Sequence, residues 1–157
     1  MHSRYSKKRR QGSAIIEVAI SIGLMIVLAA LGSDVTLITY AMFLNDKACR
    51  DATRAAAQQT SSASALQAAQ TQLSVHATDG SFVSQPVLVS QTSPNFVYND
   101  YGGNPPTNQS PYVTVTTSTN IKLPAPIFFL SMHFMPNGSV QFVRSYTYPI
   151  IREKFYG

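Results

Sequence analysis

Ser13 to Gly32 (SAIIEVAISIGLMIVLAALG) is the stretch that most constrains this chain: twenty consecutive residues whose only formal charge is Glu17. At a rise of about 1.5 Å per residue, a helix of that length covers about 30 Å, the thickness of a bilayer's hydrocarbon core. The run therefore predicts a transmembrane helix over 13–33. A carboxylate within a span is costly unless paired or neutralised, so Glu17 is a candidate functional residue by default. Its bland alternative is an interfacial acid that snorkels to the headgroups, favoured there by the helix macrodipole.

The charge distribution orients the span. The chain carries twelve Lys and Arg against seven Asp and Glu. Five of the twelve (Arg4, Lys7, Lys8, Arg9 and Arg10) precede Gly12, and from Ser13 onward basic and acidic residues balance. The cluster reads as a positive-inside anchor that keeps the N-terminus cytoplasmic and the C-terminal part extracytoplasmic. It does not read as a nucleic-acid footprint. A secretory signal peptide cut near Gly32 is the competing reading, and it would release a soluble binding module. The length of the apolar run and the acid inside it speak against that alternative.

Basic leader, Gly12, apolar helix and Glu17 in the fifth place after the glycine together resemble the type IV prepilin signal. The resemblance implies a prepilin peptidase that cuts between Gly12 and Ser13 and leaves a new cationic α-amino group on Ser13. Ser13 and Glu17 are i,i+4 neighbours on one helix face. Glu17 can therefore neutralise the amine of its own chain or, as the resemblance implies, that of a neighbour packed beside it during assembly.

Beyond the span the helical period continues through Val35, Ile38, Met42, Asn45, Cys49, Ala52 and Ala56, so one helix is expected from about Ser13 to about Gln58. Asp46 with Arg50 and Lys47 with Asp51 are possible i,i+4 pairs on its polar side. Cys49 is the only cysteine, which excludes an intrachain disulfide and a CxxC site; amid alanines it reads as a small buried hydrophobe. A Ser/Thr cluster at 60–64 breaks the helix. A second one follows from Ser62 to Val75, with capping-box spacing at Ser64 and Gln67 and an apolar face at Leu66, Ala69 and Leu73.

After Asp79-Gly80 the period becomes two. Strands are expected at Phe82–Ser90, with Pro86 marking an edge or bulge, at Phe96–Tyr98, at Tyr112–Thr119 and at Ser139–Tyr148. The Asn/Pro/Gly-rich stretch 93–111 is a surface loop, and Asn137-Gly138 a turn. The segment LPAPIFFLSMHFMP, Leu123 to Pro136, is strongly apolar but too short to span. Ile127, Phe128, Phe129 and Leu130 either fill the core of the small domain or form an exposed patch that meets a partner subunit or the membrane.

Taken whole, the chain resembles the TadE/TadF-like minor pseudopilins of tight-adherence (Flp-type) pili. The resemblance rests on Gly12 and Glu17, on LNDKACRDATRAAA from Leu44 to Ala57, and on Thr/Val-rich strands flanking a Pro-containing apolar insert. Ser13 and the lack of an FTLIE-like start set it apart from ordinary type IV pilins, and its length from Flp major pilins. The resemblance implies partners in the membrane, the prepilin peptidase, other pilus subunits and the assembly machinery.

No catalytic constellation stands out. His2, His76 and His133 are scattered, with no HExxH, no GxSxG elbow and no phosphate-binding glycine loop. No metal, cofactor, nucleic acid or small-molecule substrate is expected. The expectation is an α+β protein: a leader (1–12), a transmembrane helix (13–33), a helical stem (34–76) and a small β-rich head (77–157) with an antiparallel sheet of three to four strands. Its expected role is structural, in pilus assembly at the cytoplasmic membrane.

Overall fold

A computed structural model describes residues 3–123, 128–129, 132–133 and 139–150. One α-helix, α1 (Ser3–Ala57), runs without interruption from the basic N-terminal segment through the apolar run into the head. No proline falls within it, and its glycines, at 12, 23 and 32, do not break it. The chain turns at 58–61 into α2 (Ser62–Val75). Ser61 is the N-cap: its hydroxyl accepts from the Ser64 backbone, and the Ser64 side chain returns a bond to the Ser61 backbone. The capping box thus begins at Ser61, three residues earlier than the Ser64–Gln67 spacing suggests, because the hydroxyl of Ser64 itself serves as the return partner.

The head is a four-stranded antiparallel sheet built around β3 (Tyr112–Lys122). β6 (Ser139–Pro149) pairs with β3 along its whole length, from Tyr112↔Pro149 to Lys122↔Ser139. The other side of β3 is shared by β2 (Phe96–Asn99), opposite Tyr112–Val115, and β1 (Val87–Leu88), opposite Thr117–Ser118. A separate two-stranded ladder joins β4 (Phe128–Phe129) to β5 (Met132–His133). The strand expected over Phe82–Ser90 is thus shorter, with only β1 and an isolated bridge between Val83 and Ile121. The cause is local. Pro86 lacks the N–H that a ladder needs, and the hydroxyl of Ser84 accepts from the Asn120 backbone in place of a main-chain partner.

Alternation along β3 turns Val113, Val115, Thr117, Thr119 and Ile121 to one fully buried face, which packs on α1. Beyond the apolar run, the helix meets the sheet with small residues. Ala48, Ala52 and Ala56 join Ala65, Ala69 and Leu73 of α2 with Phe96, Val113, Val115 and Ile150 in the main core. Nearer the apolar run, Ala41 gathers Val83, Ile121 and Leu123, flanked by Leu37, Ile38, Leu44 and Phe142. Each buried Val or Ile contributes about 1.5–3 kcal/mol, and the alanines let the backbones approach closely enough for these contacts to form.

The buried stripe of α1 is therefore Asp34, Ala41, Asn45, Ala48, Cys49, Ala52, Thr53, Ala56 and Ala57. The expected face placed Val35 and Met42 on it; Val35 is exposed and Met42 only half-buried. A 3.6-residue period accommodates either neighbour, and hydrophobicity favoured the wrong one. From Ala41 onward this stripe follows small and polar side chains because the sheet approaches there.

Polar contacts fix the alignment of helix and sheet. Asn45 Nδ2 donates to the Phe142 carbonyl at 3.1 Å, and its Oδ1 accepts from the Thr117 hydroxyl at 2.8 Å. Cys49 Sγ donates to the carbonyls of Val115 and Arg144. Tyr146 donates its hydroxyl to Asp46 at 2.5 Å, and Arg54 bonds the Tyr148 hydroxyl and stacks over that ring. Residue numbers on α1 and β6 rise together through these contacts, so β6 runs alongside α1 and β3 runs against it. The Lys122/Ser139 end of the sheet consequently points toward the apolar run.

Candidate functional site

The lower half of α1 carries the candidate site. Its most apolar eighteen-residue window has a mean hydropathy of 2.6, and none of that window is buried against the rest of the chain. Length and composition make this helix able to cross a membrane, as a single-pass or signal helix near the N-terminus. Leucine, isoleucine and valine side chains stand exposed from Ile15 to Leu28. Leaving that much apolar surface in water is unfavourable, at about 25 cal/mol per Å².

Gly12, Ser13 and Glu17 all lie within α1. Ser13 and Glu17 are both exposed, and one helical turn separates them. Glu17 heads a shallow open strip along the helix formed by Val18, Ser21, Ile22, Met25, Ile26 and Ala29. Among the described residues no ion pair involves Glu17. What the arrangement can do chemically is present an anion at one end of an apolar helix face, within reach of a cation on a helix laid beside it.

The apolar insert is only partly described. Phe128 and Phe129 form β4, opposite His133 and Met132. Ile127 and Leu130, expected with them as a subunit interface, lie outside the described residues, as does the turn at Asn137-Gly138. Leu123 is buried in the lower core cluster and Ser139 pairs with Lys122, so the insert leaves and re-enters the head at the end nearest the apolar helix.

Asp34 escaped the sequence reading. It is 1% exposed, and neither carboxylate oxygen has a hydrogen-bond partner among the described residues. The available signal was its spacing: four and seven residues before Ile38 and Ala41, on the helix face that meets the head. Of the two expected i,i+4 pairs, Asp46–Arg50 forms at 3.0 Å. In place of Lys47–Asp51, the Asp51 carboxylate meets His76, the C-cap of α2, at 3.1 Å, which ties the two helices together.

Cys49 is buried, and burial, as the largest cause, pushes its thiol above the ordinary range against hydrogen bonds with Thr117 and Thr53 that favour the thiolate. That environment suits a packing residue rather than a nucleophile. Arg50 lies over the Tyr146 ring, and its hydrogen bond to Tyr146 and the charge of Asp46 hold its guanidinium above the ordinary value. Among the described residues no group of three or more His, Cys, Asp or Glu is placed to hold a metal ion.

Compared with protein-family models, with curated proteins and with solved structures, the chain finds no match in any of the three.

Proposed function

We propose that this protein is a prepilin-like, single-span membrane subunit that acts structurally in assembling a pilus of the tight-adherence type. In this reading a prepilin peptidase removes residues 1–12. The N-terminus faces the cytoplasm, the head lies outside the membrane, and other pilus subunits are the partners. The observation that carries it is the placement of Ser13 and Glu17. Both lie exposed one turn apart, where the apolar run of α1 begins, on a helix whose apolar surface the chain's own head leaves uncovered. An amine created on Ser13 would stand within one turn of a carboxylate, in a setting where an unpaired charge is costly. Pairing between neighbouring copies relieves that cost only when two helices lie side by side, which turns the acid into a device for assembly.

The test is Glu17→Gln. Glutamine keeps the size and removes the charge, so membrane insertion and leader removal proceed normally, while co-purification with other pilus subunits and fibre yield fall. Normal fibre yield from this variant would reduce Glu17 to an interfacial acid. The intact mass of the membrane-extracted protein provides a separate check. Loss of 12 residues supports the reading, and loss of 32 assigns the cut to signal peptidase at Gly32 and makes the product a secreted module.

A further inference from the structure

We infer that the bilayer does not end at Gly32: the exposed face of α1 from Val35 to Phe43 is immersed in the outer lipid leaflet, which seats the base of the head within the headgroup layer. The inference rests on the membrane-spanning reading of α1 and specifies how deep the chain sits.

Four observations carry it. First, between Glu17 and Asp46 the chain has one charged residue, Asp34, and it is buried on the side facing the head. The outward surface of α1 is therefore free of charge from Val18 to Asn45. At about 1.5 Å per residue those 28 residues cover about 42 Å. That exceeds the hydrocarbon core, about 30 Å, and matches a bilayer with its interfacial layers, about 40–45 Å.

Second, the large residues on that outward surface are apolar or aromatic: Val35 is 62% exposed, Tyr40 51% and Phe43 67%. They continue the uncovered apolar surface of Ile15 to Leu28. One turn past Phe43 the same face becomes cationic, with exposed Lys47, Arg50 and Arg54. Aromatic residues followed by basic ones are the order in which a helix crosses from lipid through headgroups into water.

Third, the exposed serine and threonine hydroxyls from Ser33 to Thr39 meet their donor requirement within the helix. Ser33 bonds the Ala29 carbonyl, Thr36 that of Gly32 and Thr39 that of Val35, at 2.8–3.0 Å. They present no unmet donor to a medium that lacks acceptors. Fourth, the head brings matching groups to the same level. Phe82 is exposed beside Val83, which packs on Ala41, and exposed Lys122 donates its backbone N–H to the Phe82 carbonyl. The apolar 124–138 segment departs from and returns to this end of the sheet.

The chain has no tryptophan, so an introduced one is a unique reporter. Phe43→Trp in the full-length protein, reconstituted in phosphatidylcholine vesicles, is compared with Ile22→Trp inside the span and Gln58→Trp beyond the helix. Brominated lipids labelled at shallow or deep positions and aqueous iodide serve as quenchers. Ile22→Trp is expected to respond best to the deep label. Phe43→Trp is expected to respond best to the shallow label, with blue-shifted emission and several-fold less iodide quenching than Gln58→Trp. Iodide quenching of Phe43→Trp equal to that of Gln58→Trp overturns the inference, since the head then stands clear of the lipid. Protection from iodide without lipid quenching, growing with the protein-to-lipid ratio, also overturns it and assigns the face to a second copy. If Ile22→Trp itself escapes lipid quenching, the span fails and the proposed function falls with it. A quenched Ile22→Trp beside an unprotected Phe43→Trp removes only the depth assignment.

Discussion

Replacing Asp34 by asparagine probes a polar group that is buried without a partner among the described residues. Both carboxylate oxygens are buried, and the described residues offer neither a donor nor a cation to them. A buried ion without a partner costs several kcal/mol after relaxation. A neutral amide of the same shape and equally unsatisfied costs about 1–3 kcal/mol. Asp34→Asn should accordingly stabilise the docked head by about 1–3 kcal/mol at neutral pH, the difference between those two penalties. Asp34→Ala removes the polar group outright but leaves a small void, worth about 1 kcal/mol, so its gain should be comparable. Guanidinium unfolding of the detergent-solubilised full chain, followed by near-ultraviolet circular dichroism of its tyrosines, reads the effect as a shift in midpoint. At about 1.4 kcal/mol per tenfold change in equilibrium constant, such a gain is well within measurement. A loss of stability of 1 kcal/mol or more in the asparagine variant would falsify the reasoning. It would mean that the carboxylate satisfies a partner beyond the contacts described.

Three further outcomes are expected. Asn45→Ala leaves the Thr117 hydroxyl without its acceptor and opens a void between helix and sheet, so unfolding midpoints should fall by the equivalent of about 2–4 kcal/mol; an unchanged midpoint would show that the buried amide does not hold the sheet in register. Cys49 should resist alkylation in the native protein and react once unfolded. Because burial raises its folded titration point, its contribution to stability is complete below the ordinary thiol value of about 8.5 and is lost as pH rises through the higher folded one, so the Cys49→Ala variant should show a shallower alkaline decline; rapid native-state labelling would contradict the burial. Gly12→Asp should block leader removal and leave full-length precursor in the membrane, visible as a larger mass; normal maturation of that variant would remove the prepilin assignment.

The elements written in long, strongly periodic or β-branched stretches were legible without coordinates. The apolar run and its small-residue continuation determined a single helix, expected to end near Gln58 and ending at Ala57, and the Ser62 to Val75 segment a second. The β-branched run at 112–119 and its partner at 139–148 determined the two long strands, because local propensity and alternation agree there. Tertiary structure decided what depends on which surfaces meet. It moved the buried stripe of α1 from Val35 and Met42 to Asp34 and Ala41, since a helical period cannot distinguish neighbouring positions and, at Ala41, the sheet needs a small side chain to approach. It also gave Asp51 to His76 in place of Lys47, because α2 folds back along α1 and brings a competing partner from 25 residues away. The Phe82–Ser90 strand shrank to two residues once Pro86 met the ladder. The burial of Asp34 had the same origin: its carboxylate becomes costly only when the rest of the chain covers it. Pairing and burial of that kind arise between segments distant in the chain, and no local pattern encodes them.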